Sequence, residues 1–312
     1  MERFFGAARP VSLAGIDIRN TTYRVSRRRP LEGLLKSIER FGLLESPVLL
    51  REGGRFVPLF GHNRLAALAR AGIGTFDAAV VDAIDPAAYR ACAVLKCGRN
   101  EAGPIGRIRM AEILRMLGLG EDELALTVRH GLEIPADFSS AETAALVMRL
   151  PDRLRDYIDL RDVGFKVIKG LLGLPAGAHE FLAGRIDDAG IRVNVFRDIV
   201  EMMSDILRRD GSLTAVFALP APGSGDRRRD EQLLHDAIYS IRYPAYSDLR
   251  DKAGRIAAEI ERGGCSVGIP PYFEGGDVSL TVRFGRGDNE DSIRGKLAGI
   301  DARRIEKLVG LL

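Results

Sequence analysis

The sequence contains no tryptophan, only three cysteines, and few aromatic residues of any kind, 6% in all. That poverty argues against a protein that stacks the bases of single-stranded nucleic acid, which needs a series of exposed rings. Cys92, Cys97 and Cys265 are too few, and odd in number, for a disulfide framework, and they fit a reducing cytoplasm. With no histidine close by in sequence, Cys92 and Cys97 make a poor zinc pair. No run approaches the ~20 apolar residues needed to cross a bilayer, and the N-terminal stretch lacks the apolar core of a secretory leader. A cytoplasmic protein without a membrane partner is therefore expected. Neither a Walker pattern nor a G-x-G-x-x-G fingerprint occurs.

Charge of one sign is also missing. The 46 basic residues are nearly balanced by 43 acidic ones, so binding to nucleic acid would depend on local basic patches and not on the net charge. The run Arg27-Arg28-Arg29 is one such patch, either solvated or in contact with phosphate.

What the sequence does hold is a cluster of signals between residues 30 and 81. Pro30 opens a helical pattern with Leu31, Leu34, Leu35, Ile38 and Phe41 on one face, closed by Gly42. Pro47 to Arg51 reads as a strand, Glu52 to Arg55 as a hairpin turn and Phe56 to Phe60 as the returning strand. At Gly61 the apolar run breaks, and from Leu65 apolar residues recur at helical spacing to Ala71. A further strand follows around Ala78 to Val81. Between strand and helix lie Gly61, His62, Asn63 and Arg64. The amides and dipole at a helix start favour anions, a glycine there admits a phosphate to the backbone, and Arg64 offers a planar charged clamp. The competing reading is a simple polar cap on a helix.

The ordered series from Ser37 to Gly72 resembles the N-terminal domain of the ParB partition proteins, in which a helix and strand precede a "G-E-R-R-x-x-A" box. Gly61, Arg64 and Ala67 match the box, while His62 and Asn63 replace its Glu and first Arg. Asp17 to Arg24 is similar to the family's lead-in strand, and the resemblance runs from about Ile16 to Leu174. It implies that the turn binds the triphosphate of CTP or another nucleotide with Mg2+. The family's second motif matches at Arg99, Pro104 and Ile105, and its magnesium-binding Asn aligns with Lys96. An ammonium cannot ligate a cation but can neutralise phosphate. The phosphate-binding set is thus Gly61, His62, Asn63, Arg64, Lys96 and Arg99, with the metal ligands unknown. The same fold is similar to sulfiredoxin and to small-molecule serine kinases, whose turn often carries His before Arg. That keeps open an enzyme, a phosphotransferase or nuclease using His62 and Arg64.

Helical patterns fill 104–220. Leu119 to His130 and Ser139 to Leu150 read as two short helices, the first with acidic residues in its first turn and the second capped by serine, which suggests a helix–turn–helix with an unusually long turn. Ser140, Thr143, Arg149, Arg153, Lys166 and Lys169 are the DNA-contacting candidates, with plain helix packing the alternative. Ala221 to Arg229, rich in Pro, Gly, Ser and Arg, reads as a linker. Beyond it come a helical stretch with a break at Tyr243-Pro244, two strands at Cys265 to Ile269 and Val278 to Phe284, and a final helix.

The expected fold is α+β: an α/β N-terminal domain (1–103) of ParB/sulfiredoxin type, an all-helical middle domain (104–220), a linker (221–229) and a small α/β unit (230–312). The resemblance implies DNA as a partner, a homodimer formed through that last unit, and a partition ATPase.

Overall fold

The computed structural model describes residues 5–25, 31–186, 190–221, 223–262, 264–270, 273 and 275–312. The fold is α+β. A four-stranded sheet in the order β1-β4-β2-β3 is built from β1 (Arg9–Ser12), β2 (Val48–Glu52), β3 (Arg55–Phe60) and β4 (Thr75–Val81). The β2–β3 hairpin turns at Gly53 and Gly54, both with positive φ (55° and 80°). That is the backbone of the two-residue turn whose twist matches paired strands, and it explains the two consecutive glycines. β4 runs parallel to β2 and antiparallel to β1.

In β3 the register slips between its pairings with Val48 and Leu49, so that Val48 faces Phe60 while Leu49 faces Pro58. The extra residue, Leu59, breaks the alternation of faces. Leu59 and Phe60 consequently enter the same core, although they are sequence neighbours. Pro58 is tolerated because β3 lies at the edge of the sheet.

Each face of the sheet is covered. On one side α1 (Glu32–Phe41) and α2 (His62–Arg70) bury Ile38, Leu65, Ala67 and Leu68 against Leu49, Phe76 and Ala78. Phe41, expected on the same face as Ile38, is instead exposed beneath the Arg40 guanidinium. On the other side α3 (Pro86–Gly98) packs Tyr89 on Phe60, ring centroids 5.2 Å apart. From there one continuous core runs through the helical body, which comprises α4 (Pro104–Met116), α5 (Glu121–Leu126), α6 (Ala141–Met148), α7 (Asp152–Arg161), α8 (Phe165–Leu172), α9 (Ala176–Arg185), α10 (Val193–Asp210) and α11 (Thr214–Phe217). α4 is its centre, buried at Ile105, Ile108, Met110, Ala111, Ile113 and Leu114.

α12 (Arg227–Arg242) adds Leu234 and Ile238 to this same core. The triplet Arg227–Arg229, read above as linker, forms its first turn because Asp226 caps the amides of Arg228 and Arg229. A separate small core holds Ala253, Ile260, Cys265 and Leu308, contributed by α13 (Pro244–Glu261), the antiparallel pair β5 (Cys265–Gly268) and β6 (Ser279–Val282), and α15 (Ala302–Val309). The expected single last helix is two, α14 (Glu290–Ala298) and α15, separated at Gly299–Asp301.

Two further expectations are corrected. The lead-in Asp17 to Arg24 is not a strand: only Ile16 bridges Phe56, and β1 lies earlier, at a stretch where Pro10 masks the strand signal. The first helix of the helix pair, expected to run to His130, ends at Leu126 and passes into a wider π-turn at Thr127–Gly131. All three cysteines are free and buried. Among the described residues no helix is long and apolar enough to cross a membrane.

Candidate functional site

The site is assembled by two chain reversals. The first is Gly61, with φ 94° and ψ 22°, a left-handed conformation that side chains resist. A Cβ there would sit 3.0 Å from Pro47 Cβ and 3.1 Å from Pro47 Cα. Glycine is thus required twice, by its backbone angle and by the loop that packs on it. It has no side chain to satisfy the first amides of α2, which start at His62.

The second reversal ends α3. Asn100 takes the left-handed conformation (φ 54°), its amide bonds Cys97 O at 2.9 Å, and the Glu101 amide bonds Lys96 O at 2.9 Å. This pair of backward bonds is the Schellman closure of a helix, and asparagine is the commonest substitute for glycine at its turning point. It folds Glu101 back over the last turn of α3. The Lys96 Nζ then donates to Glu101 Oε2 at 2.7 Å.

Between these reversals the cationic candidates converge. Arg64 from α2 forms an ion pair with Glu45 Oε2, and Arg99 Nη1 lies 3.7 Å from Glu45 Oε1. Glu101 is in the field of Lys96, Arg64 and Arg99. Burial works to raise its pKa, but the Lys96 hydrogen bond and these three charges outweigh burial and hold the carboxyl below its usual value. Burial pulls the Arg64 guanidinium down from its ordinary value, yet arginine stays charged through such shifts. The Arg64 side chain is 20% exposed and that of Lys96 only 10%, with its ammonium 5.5 Å from the centre of the Phe60 ring. The result is three cations, two of them withdrawn from water and Arg99 exposed, facing two carboxylates.

The two remaining residues of the turn point elsewhere. Asn63 Oδ1 accepts from Arg24 Nη2 at 3.3 Å. His62 is 8% exposed, and its Nε2 has no hydrogen-bond partner among the described residues. Its pKa falls to about 4, chiefly through burial, with Arg24, Arg109 and Lys96 adding repulsion against an Asn20 backbone hydrogen bond that opposes the shift. His62 is thus neutral at physiological pH and a weak proton acceptor.

Arg24 belongs to a strap, residues 20–25, which covers the end of the stretch expected as a lead-in strand. Arg109 of α4 donates to Arg24 O at 2.9 Å, and a Cβ at Gly106 would stand 2.2 Å from Val25 O. Asp159 of α7 accepts from the Ile105 and Gly106 amides at 2.8 and 3.2 Å, capping α4 from outside. The hollow here, lined by Arg24, Arg109, Arg155, Asp152, Asp156 and Asp159, balances its own charges. It joins the strap to the helical body.

The DNA-contacting candidates lie apart from this cluster in the chain's order and differ in state. Ser140 Oγ accepts from the Thr143 amide at 3.1 Å and also bonds the Thr143 hydroxyl, so both side chains are engaged in capping α6. Lys169 pairs with Asp137. Arg149, Arg153 and Lys166 are exposed, at the end of α6, the first turn of α7 and on α8.

Among the described residues no group of three or more His, Cys, Asp or Glu is placed to hold a metal ion. The Lys96 ammonium occupies Glu101 Oε2 and cannot itself ligate a cation, so this pair does not fit Mg2+.

No family model matches the sequence, and no curated protein does. Among solved structures the chain is similar to the C-terminally truncated chromosome-partitioning protein ParB from Caulobacter crescentus complexed with CTP-gamma-S, at 20% identity over 62% of this chain and 98% of that one, with a TM-score of 0.25. It is also similar to the same truncated protein complexed to the centromeric parS site, at 18% identity over 73% and 99%, TM-score 0.28. A third likeness is to a Pnob8-like ParB-N domain, at 14% identity over 78% and 96%, TM-score 0.36.

Proposed function

We propose that this chain is a ParB-like DNA-binding protein whose first domain takes the polyphosphate of a nucleotide at the start of α2, in the service of partitioning or gene regulation. One observation carries the reading: Arg64, Lys96 and Arg99, spread over two helices and 35 positions of sequence, meet beside an uncapped helix start. Planar guanidinium groups pair two N–H donors with two phosphate oxygens, and backbone amides supply further donors. The sequence resemblance supplies CTP as the first nucleotide to try.

The strap gives that site a route to the helical body. A ligand at α2 competes with Asn63 for Arg24, and Arg24 is tied through its carbonyl to α4. Nucleotide occupancy would thereby bias how the helical domain presents Arg149, Arg153 and Lys166 to DNA. The last α/β unit (230–312) is proposed to dimerise through the exposed edge of β6, and a partition ATPase is the proposed protein partner.

Isothermal titration with CTP and with ATP, each with and without magnesium, tests the reading. Binding that does not require magnesium is expected, because Lys96 already supplies the positive charge. No heat at millimolar nucleotide would remove the switch.

A further inference from the structure

Within the cationic cluster the decisive residue is one that belongs to no motif. Glu45 sits in the loop between α1 and β2, and its two carboxylate oxygens address two different arginines, Oε2 taking Arg64 and Oε1 facing Arg99 at 3.7 Å. Its side chain is about as buried as that of Glu101. A carboxylate between two guanidinium groups presents a pair of anionic oxygens, as one edge of a phosphoryl group does. Two residues on, Pro47 packs against the left-handed Gly61. The loop that carries Glu45 is therefore the wall of the turn itself.

We infer that Glu45 is an internal counter-anion that must be displaced before a ligand can bind, so that it sets the site's specificity for linked polyphosphates over single phosphate groups. This rests on the anion-site reading above. A ligand bearing one phosphoryl group replaces one carboxylate on Arg64 and Arg99 and gains little. A di- or triphosphate brings further charge, reaches Lys96 as well, and outcompetes the carboxylate. The site is more than a helix start, since three cations from the first turn of α2 and the end of α3 converge there on two carboxylates. Release of Glu45 also frees the Pro47 wall, which couples occupancy to β2.

The test uses the full chain, with inorganic tripolyphosphate and orthophosphate as probes in calorimetric titrations at fixed salt. Glu45→Gln keeps the shape and removes the charge; Glu45→Asp keeps the charge but is too short to bridge both arginines. Wild type is expected to prefer tripolyphosphate. Glu45→Gln should tighten orthophosphate by about tenfold and narrow that preference, the loss of one charge-assisted competitor. Glu45→Asp should tighten binding as well, which a general change of field would not produce. Binding by Glu45→Gln alone would also support displacement. If wild type binds tripolyphosphate and both variants bind no tighter, displacement is overturned while the anion site stands. If neither probe binds wild type or either variant, the anion site itself is overturned and displacement with it. Thermal melts of each variant report whether the fold is intact.

Discussion

The cationic cluster around α2 and the basic surface on α6 to α8 hold similar numbers of candidate residues but in opposite physical states. Arg64, Lys96 and Arg99 are gathered against Glu45 and Glu101, two of the three well withdrawn from water, and fixed by two backbone reversals. Arg149, Arg153 and Lys166 stand in solvent. Paired, half-buried charges are preorganised and weakly screened, whereas exposed ones act through long-range attraction that salt removes. A small, specific anion suits the first region, and a backbone of many phosphates suits the second.

That contrast can be broken most severely at the joint between the regions. Replacing Gly106 by alanine drives a Cβ to within 2.2 Å of the Val25 carbonyl, so strap and α4 must separate. The expected loss is about 3 kcal/mol of stability in a urea titration, in the range of overpacked cores. A change below 1 kcal/mol would mean the strap is not clamped.

Acid should act next. The folded His62 pKa of about 4 lies below the ordinary 6.5, so the unfolded chain binds the proton more readily. The stability this group contributes is complete above pH 6.5, declines as pH falls toward 4, and is lost below it. The loss is expected to be about 3 kcal/mol, and His62→Gln should flatten that part of the pH–stability curve. An unchanged slope would place the acid-sensitive group elsewhere.

A smaller effect is expected at the cluster itself. Arg64→Ala should weaken polyphosphate binding about thirtyfold, as for loss of a charge-assisted pair, and should cost about 1 kcal/mol of stability by leaving Glu45 with the distant Arg99 alone. The smallest change is expected at the surface. Arg149→Ala with Arg153→Ala should leave stability within about 0.5 kcal/mol. In gel shifts at two salt concentrations the same pair should lower DNA affinity and reduce the salt slope by about 0.9 per lost contact. If the surface pair altered polyphosphate binding as much as Arg64→Ala, the two regions would not be distinct.

Much of the first region was legible in the chain because its signals are local. Gly53-Gly54 marks the hairpin, Gly61 the reversal and the apolar spacing after Leu65 the helix, and each appears where expected. The break at Tyr243-Pro244 and the serine cap at Ser140 were equally plain, since Pro and Ser act within their own turn. Contacts between distant segments were not legible. Glu45 lies 19 residues from Arg64 and has no periodic pattern around it, and the strap reads as polar chain until Arg109 and Gly106 are seen against it. The strand at Arg9–Ser12 was not read from the sequence; its Pro10 lies at the edge of the sheet, where a missing N–H is harmless. Asp226 looked like linker because the residues that end loops also start helices. The Arg27-Arg28-Arg29 run lies outside the described residues.

The central claim, that the start of α2 is a pocket for linked phosphates, is tested most directly by calorimetric titration of CTP into the wild-type chain and into Arg64→Ala, with magnesium omitted. The account predicts saturable binding to wild type and binding about thirtyfold weaker to the variant. Equal binding by the two proteins, or none by either, would contradict it.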